Sequence, residues 1–339
     1  MIKILKLWFL LAMPLSAISQ SSPVKILFIG NSFVFSHNMP DLLNQLAKSA
    51  GLRANISLYY VEGKSVNHFI NDPFCWKVIN SKKWDYVVIQ DNQRYYYDSL
   101  GKFDSLDHPI PLLKNNVIFQ DSIKKLIPCV KIVYFAGWEL KGGIPAKFPG
   151  DNTKKMIKRI LANYQYLNSM PGVNNIIAPV GVAWMSIIDK VPYIAKKPYN
   201  PLYLYEADGR HPGWAGSYLG ACVLFGVIFH QPSINLNDKG PFYKHKLDTI
   251  IKKIAWQAVV DSFAYSNLAT ITPVEGTKEN TVFTSALYPA YQWYKDNIEI
   301  PGANNYNYTV SDYSSTYWVR VQDRNGCTFN SFPIKLTPP

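Results

Sequence analysis

Cysteines, acidic residues and long apolar runs are all scarce in this chain, and each shortage removes a class of protein. The four cysteines, Cys75, Cys129, Cys222 and Cys327, show no metal-ligand spacing and are too few for a disulfide scaffold in 339 residues. An oxidising compartment would allow a Cys75–Cys129 bridge, while Cys222 sits in Ala221-Cys222-Val223-Leu224-Phe225, which reads as buried helix. Against 35 basic side chains there are 23 acidic ones, giving a formal charge of +12. The lysines are scattered in pairs such as Lys82-Lys83 and Lys252-Lys253, so the surplus reads as solvated surface and not as a nucleic-acid site. No apolar stretch is long enough for a transmembrane segment. The short run Leu7 to Leu15 follows Lys3 and Lys6 and precedes Ala17-Ile18-Ser19, the layout of an export signal over residues 1–19. Export to the periplasm, the cell surface or the medium is therefore expected.

What is present is enough for one large domain and a small one. The chain is 48% hydrophobic and 17% charged, the balance of a globular protein. Five short apolar runs, 26–29, 56–61, 86–89, 131–135 and 175–179, alternate with helical patterns. Leu42, Leu43, Leu46 and Ala47 recur at helical spacing before Gly51, and residues 112–127 and 152–169 are amphipathic. Two more helices are expected near 213–230 and 245–264. Strands alternating with helices predict an α/β fold, a three-layer α/β/α (flavodoxin-like) parallel sheet, over residues 20–266.

After Ser266 the helical pattern stops. Tyr291 to Asn297 reads as a strand entering a turn, and Ile300-Pro301-Gly302-Ala303 as a turn. Tyr306 to Val310 and Thr316 to Val321 alternate like strands, and Asn325-Gly326 is a hairpin-turn signal. Residues 267–339 are thus expected to form a small all-β sandwich. Their order of Trp-Tyr, Ile-Pro-Gly-Ala and Asn-Gly-Cys resembles the immunoglobulin-like modules appended to secreted bacterial proteins. Cys327 has no partner cysteine within this module.

The chemistry-bearing residues fall at strand ends. Val24 to Ile29 runs into Gly30-Asn31-Ser32, at the end of the first strand, where parallel sheets place ligands. Gly30 would let the backbone turn tightly and Ser32 would stand near the start of the next helix; a plain helix-start serine is the bland alternative. Asp208-Gly209-Arg210-His211 supplies a carboxylate and an imidazole three residues apart. On one short turn, Asp208 can hold one imidazole nitrogen while the other faces a serine. An ordinary polar turn would use the same residue types.

Together these blocks resemble the SGNH hydrolases, also called the GDSL esterase family, over residues 24–230. In that family a serine lies in a Gly-Asp-Ser-like first block and Asp-x-x-His in the last. A glycine and an amide side chain from the middle blocks complete the oxyanion hole. The resemblance implies Ser32 as nucleophile, His211 as base and Asp208 as its orienter, with Asn31 where aspartate is more usual. It places Gly63, in Val61-Glu62-Gly63-Lys64-Ser65, in the second block. The third block departs from the family's Gly-x-Asn-Asp: here Val88-Ile89 runs into Gln90-Asp91-Asn92-Gln93, closer to a branch with Gln-Glu-Gln-Ser. The donor beside Ser32 and Gly63 is read as Asn92, with Gln90 and Gln93 as alternatives.

Trp138 follows the fourth strand and Trp184 the fifth, while Tyr95 follows the amide block; all three are candidate walls for a substrate, or plain packing. His37, His68, His108, His230 and His245 form no ligand set and receive no role. The expectation is an exported serine esterase cleaving small acyl esters, acetyl above all, on carbohydrate, with no metal or organic cofactor. A histidine base predicts activity that falls as pH drops through about 6–7. The alternatives are a lipid or aryl esterase of the same fold, or a non-catalytic glycan-binding surface protein. The C-terminal module is read as a spacer that could also contact polysaccharide.

Overall fold

The computed structural model describes residues 22–92, 110–146, 148–170, 175–191, 203–238, 246–262, 271–273, 281–284, 288–310 and 312–335. The segment 1–19 read as an export signal lies outside them. The five apolar runs form β1 (Val24–Gly30), β2 (Ala54–Tyr60), β3 (Tyr86–Ile89), β4 (Lys131–Phe135) and β5 (Ile176–Ala178). They pair in parallel in the order β2-β1-β3-β4-β5, with Ile26 beside both Ile56 and Tyr86. The order reverses between β1 and β3, which makes the crevice at their C-terminal ends the natural ligand position of the sheet.

Side-chain alternation explains why both faces must be covered. Ile26 and Phe28 point to one face of β1, and Leu27 and Ile29 to the other, all fully buried. On the first face lie α1 (Met39–Ser49), α2 (Val180–Lys190), α3 (Trp214–Phe229) and α4 (Lys246–Asp261). The second face is covered chiefly by helices Pro73–Ile79, Ile110–Leu126 and Thr153–Ser169. Each fully buried Leu, Ile or Phe contributes ~1.5–3 kcal/mol, so these two layers supply most of the driving force. Every residue of α3 from Ala215 to Ile228 is buried, because α3 packs on α1, α2 and α4 as well as the sheet. That matches its sequence, which is apolar on all sides. Helix α2 is not among the helices expected from the sequence, which placed only Trp184 after the fifth strand; tertiary packing makes the stretch helical despite Gly181.

Beyond residue 270 the described elements are all strands. Thr316–Gln322 is the centre of an antiparallel sheet with Ala290–Lys295 on one side and Thr328–Asn330 and Ile334–Lys335 on the other. Its inward residues Tyr317, Val319 and Val321 alternate with outward ones and close on Trp293 and Val310. The expected turn at Asn325-Gly326 connects the hairpin, with Gly326 at φ +80°. In a second sheet Thr281–Thr284 is central, paired with Asn307–Thr309 on one side and Ile271–Pro273 on the other; the sequence did not announce the strands at 271–273 and 281–284.

This β region sits against the N-terminal edge of the parallel sheet. Phe332 joins the large apolar core and stacks on His230 at the end of α3, with ring centroids 4.3 Å apart. Lys131, first residue of β4, lies over the ring of Phe329. A disulfide joins Cys129, just before β4, to Cys327. The pairing corrects the sequence expectation: Cys75 is a free, buried thiol whose pKa burial pushes up to about 12. The partner of Cys327 is in the other region of the chain, which no spacing rule could reveal.

Candidate active site

Asn31 links the end of β1 to the short helical turn Ser32–Phe35 by capping it: its Oδ1 accepts from the Phe33 N–H at 3.1 Å. Its Nδ2 donates to the Lys64 carbonyl at 3.0 Å, tying the first block to the second. An aspartate could make only the first of these bonds, since a carboxylate has no donor. Gly30 is required for a different reason than a tight turn. Its φ is not in the left-handed region, but a Cβ there would lie 2.8 Å from Gln90 Oε1 and 2.9 Å from Val34. Gly63, by contrast, has φ +66°, where other residues are strained.

Gln90 and Asp91 organise the crevice without facing it. Gln90 Oε1 accepts from the Asn31 N–H at 2.9 Å, and its Nε2 donates to the Asp91 carbonyl at 2.8 Å. The amide oxygen of Gln90 and one of its two N–H groups are thus engaged within the loops. Asp91 accepts from the N–H groups of Val66 and Asn92, both at 2.8 Å, and from Asn116 Nδ2 at 3.1 Å. It is a buried carboxylate that aligns the second and third blocks, a task the sequence did not signal. Asn92 Nδ2 donates to the Gly63 carbonyl at 2.9 Å, bringing those two residues together. Gln93 and Tyr95 lie outside the described residues.

The last block folds back as a tight turn between Leu204 and Gly213. Glu206 N–H donates to the His211 carbonyl at 2.8 Å and Gly213 N–H to the Leu204 carbonyl at 2.9 Å. Within the turn, Asp208 Oδ1 accepts from the N–H groups of Arg210 and His211, at 2.9 and 3.0 Å. Its Oδ2 lies 2.5 Å from His211 Nδ1. Partial burial pushes the Asp208 pKa up. The hydrogen bonds from His211 and the two backbone N–H groups outweigh that and hold it below the usual carboxylate range. A carboxylate on Nδ1 keeps the ring proton there, so that Nε2 is the accepting nitrogen. That Nε2 lies 2.8 Å from Ser32 Oγ, across 179 residues of sequence. Ser32, His211 and Asp208 therefore form one hydrogen-bonded row at the C-terminal end of the sheet.

The two tryptophans are not substrate walls. Trp138 is 2% exposed and Trp184 fully buried, and they stack on each other with centroids 3.7 Å apart. Neither offers a free face to a ligand. Trp138 instead holds the catalytic-type turn from below: its Nε1 donates to the Arg210 carbonyl at 3.0 Å, and its ring meets Phe33. The residues that do line the opening, a cleft of ≈ 950 Å³, include Ser32, His211, Phe35, His37, Glu206 and Trp214. The last four were not among the site residues expected from the sequence. Their only common signal is that they flank Ser32 and the Asp208–His211 turn.

No protein-family profile and no curated protein matches the chain. Among solved structures it is similar to a DUF4886 family protein from Bacteroides uniformis, at 20% identity and TM-score 0.54. That likeness covers 72% of this chain and 96% of the other. It is also similar, at 21% identity and TM-score 0.45, to a candidate SGNH hydrolase from Slackia heliotrinireducens, over 61% of this chain and all of the other. An acetylxylan esterase from Geobacillus stearothermophilus shares 14% identity at TM-score 0.44, over 62% and 94% of the two chains. At these identities the likeness is one of fold, and it is the first that carries it.

Proposed function

We propose that the protein is an exported serine esterase that removes small acyl groups, acetyl above all, from hydroxyl groups of carbohydrate. The observation that carries this reading is the row Ser32 Oγ–His211 Nε2–Asp208, at 2.8 and 2.5 Å, in the switch-point crevice of a parallel sheet. Ser32 Oγ attacks the ester carbonyl carbon as His211 Nε2 takes the hydroxyl proton. The carbonyl oxygen, now negative, accepts from the N–H groups of Ser32 and Gly63 and from the second amide hydrogen of Asn92. Collapse breaks the bond to the alcohol, whose oxygen receives the proton from His211. Water then attacks the acyl-serine, His211 again taking and returning a proton, and the carboxylic acid leaves. Asp208 holds the imidazole in the required tautomer and stabilises its charged form.

Export is supported by the layout of residues 1–19 and by the Cys129–Cys327 disulfide, which suits an oxidising compartment. Residues 267–339 act, in this reading, as an immunoglobulin-like accessory module with a holding role. Its seat at the edge of the sheet opposite Ser32 supports that assignment.

The test is hydrolysis of nitrophenyl acetate and butyrate by wild type and Ser32→Ala, with fluorophosphonate labelling of Ser32. Turnover and labelling lost together in the variant are expected. Equal slow hydrolysis by both proteins would overturn the reading. Asn92→Ala should lower kcat by about 10²–10³-fold, the effect of removing one oxyanion donor.

A further inference from the structure

The cleft around Ser32 has a charge opposite to that of the protein. The chain carries +12, yet the described residues lining the cleft include Asp41, Glu62, Glu206 and Asp208 and no lysine or arginine. Two imidazoles, His37 and His211, are the only basic side chains among them. The acids belong to three separate segments of chain, so their convergence is a property of the fold and not of a local acidic run.

Large aromatic surface is left open beside these acids. Trp214 is 40% exposed and Phe35 43%, whereas the equally bulky Trp138, Trp184 and Phe33 are buried. Phe35 stacks on Tyr60, itself 37% exposed, with centroids 4.1 Å apart and planes within 7°. The ring of His37 lies against Trp214 at 4.3 Å, and His37 Nε2 is 2.7 Å from Glu206 Oε1. Holding His37 there requires φ +52°, followed by φ +50° at Asn38. Asn38 tolerates that region and caps α1, but a left-handed histidine is strained, and such strain persists where the surrounding structure fixes it, commonly at ligand-binding positions. Backbone strain, an open indole face and a carboxylate–imidazole pair meet at one wall of the cleft.

We propose that this wall selects the alcohol half of the ester: it takes an uncharged, hydroxyl-rich ring and excludes an anionic one. The proposal rests on the esterase reading and adds the substrate's leaving group to it. The ring lies on the Trp214 face, and its hydroxyl groups donate to Glu206 and meet the His37 ring nitrogens. Pyranosides suit this, since their axial C–H faces are apolar and their rims polar. A carboxylate, sulfate or phosphate on the alcohol would face the four acids with no lysine or arginine among the described lining residues to offset them. One like charge at about 7 Å in a partly screened site disfavours an anion by about tenfold.

The experiment compares an acetylated methyl xyloside with the matching acetylated methyl glucuronide, at low and at 0.5 M salt. The expected result is a kcat/KM ratio of at least about tenfold in favour of the neutral ester, shrinking at high salt as screening sets in. Glu62→Gln combined with Glu206→Gln should reduce the ratio. Trp214→Ala should raise KM for the xyloside about tenfold with a much smaller change in kcat, and Trp214→Phe should recover most of it. A ratio near one in the wild type, or a Trp214→Ala effect confined to kcat, would overturn the proposal. Calorimetric titration of Ser32→Ala with the same glycosides separates the two readings. Neutral-selective, Trp214-dependent binding without wild-type turnover would sink the esterase and keep the subsite. Turnover without selectivity in either measurement would do the reverse.

Discussion

The two edges of the parallel sheet are built by different physics. At the C-terminal edge, side-chain hydrogen bonds from Asn31, Gln90 and Asp91 fix three loops relative to one another, and the surface opens to solvent. At the N-terminal edge, a disulfide, the Phe332–His230 stack and apolar burial close the sheet against the β region. The open edge has directional bonds that set positions to fractions of an ångström but contribute modestly to stability. The closed edge has a covalent and apolar contact that contributes stability and sets no chemistry. The comparison teaches that geometry and stability are supplied from opposite ends of the same strands.

Changes at each edge should therefore move different observables. Ser32→Ala should lower kcat by about 10⁴-fold or more while leaving the melting temperature within a degree or two, as followed by circular dichroism. Cys129→Ser should do the opposite. Releasing a closed loop of 198 residues costs about 2–5 kcal/mol in denaturant unfolding, with kcat per folded molecule unchanged. A fall in kcat as large as the fall in stability would show that the edges are coupled.

The closed edge should also carry a pH signature. Burial pushes the pKa of His230 down to about 4, with nearby Lys131 adding to the effect. The unfolded chain, titrating near 6.5, binds that proton more readily than the folded one. Stability from this group is thus complete above about 6.5 and lost as pH falls towards 4, on the order of 2–3 kcal/mol. His230→Asn, which tolerates the left-handed backbone at φ +56°, should flatten this slope while lowering stability at neutral pH. An unchanged slope between pH 6.5 and 4 would mean that another group carries it. The smallest effect is expected from Asn31→Asp, which loses the bond to the Lys64 carbonyl and leaves an acceptor unmatched. About 1–3 kcal/mol should appear in kcat/KM and in stability together, distinguishing it from Ser32→Ala.

The sheet was legible because its strands are short, continuous apolar runs, and Ile26–Ile29 or Lys131–Phe135 can hardly read otherwise. Ser32, Asp208 and His211 were singled out by a strand end, a tight turn and the resemblance of their blocks to the SGNH pattern, and the structure brings the three side chains together. Trp138 and Trp184 misled, since an aromatic side chain at a strand end looks the same whether it faces the crevice or the core. Only the packing of Phe33, Trp138 and Trp184 on one another decides between them. Gln90 and Asp91 could not be assigned because their partners, the N–H groups of Asn31 and Val66, arrive from other strands. The Cys129–Cys327 pair was invisible for a similar reason: it depends on how two separately patterned regions dock.

That pair has one more consequence. Ser32 and Cys129 lie on one stretch of chain, His211 and Cys327 on another. A protease that cuts once anywhere between 130 and 203 separates Ser32 from His211 in the backbone, yet the two fragments remain one molecule through the sulfur–sulfur link. In the exported protein proposed above, where no ribosome can replace the loss, a nicked copy would keep both halves of its hydrogen-bonded row on a single covalent body.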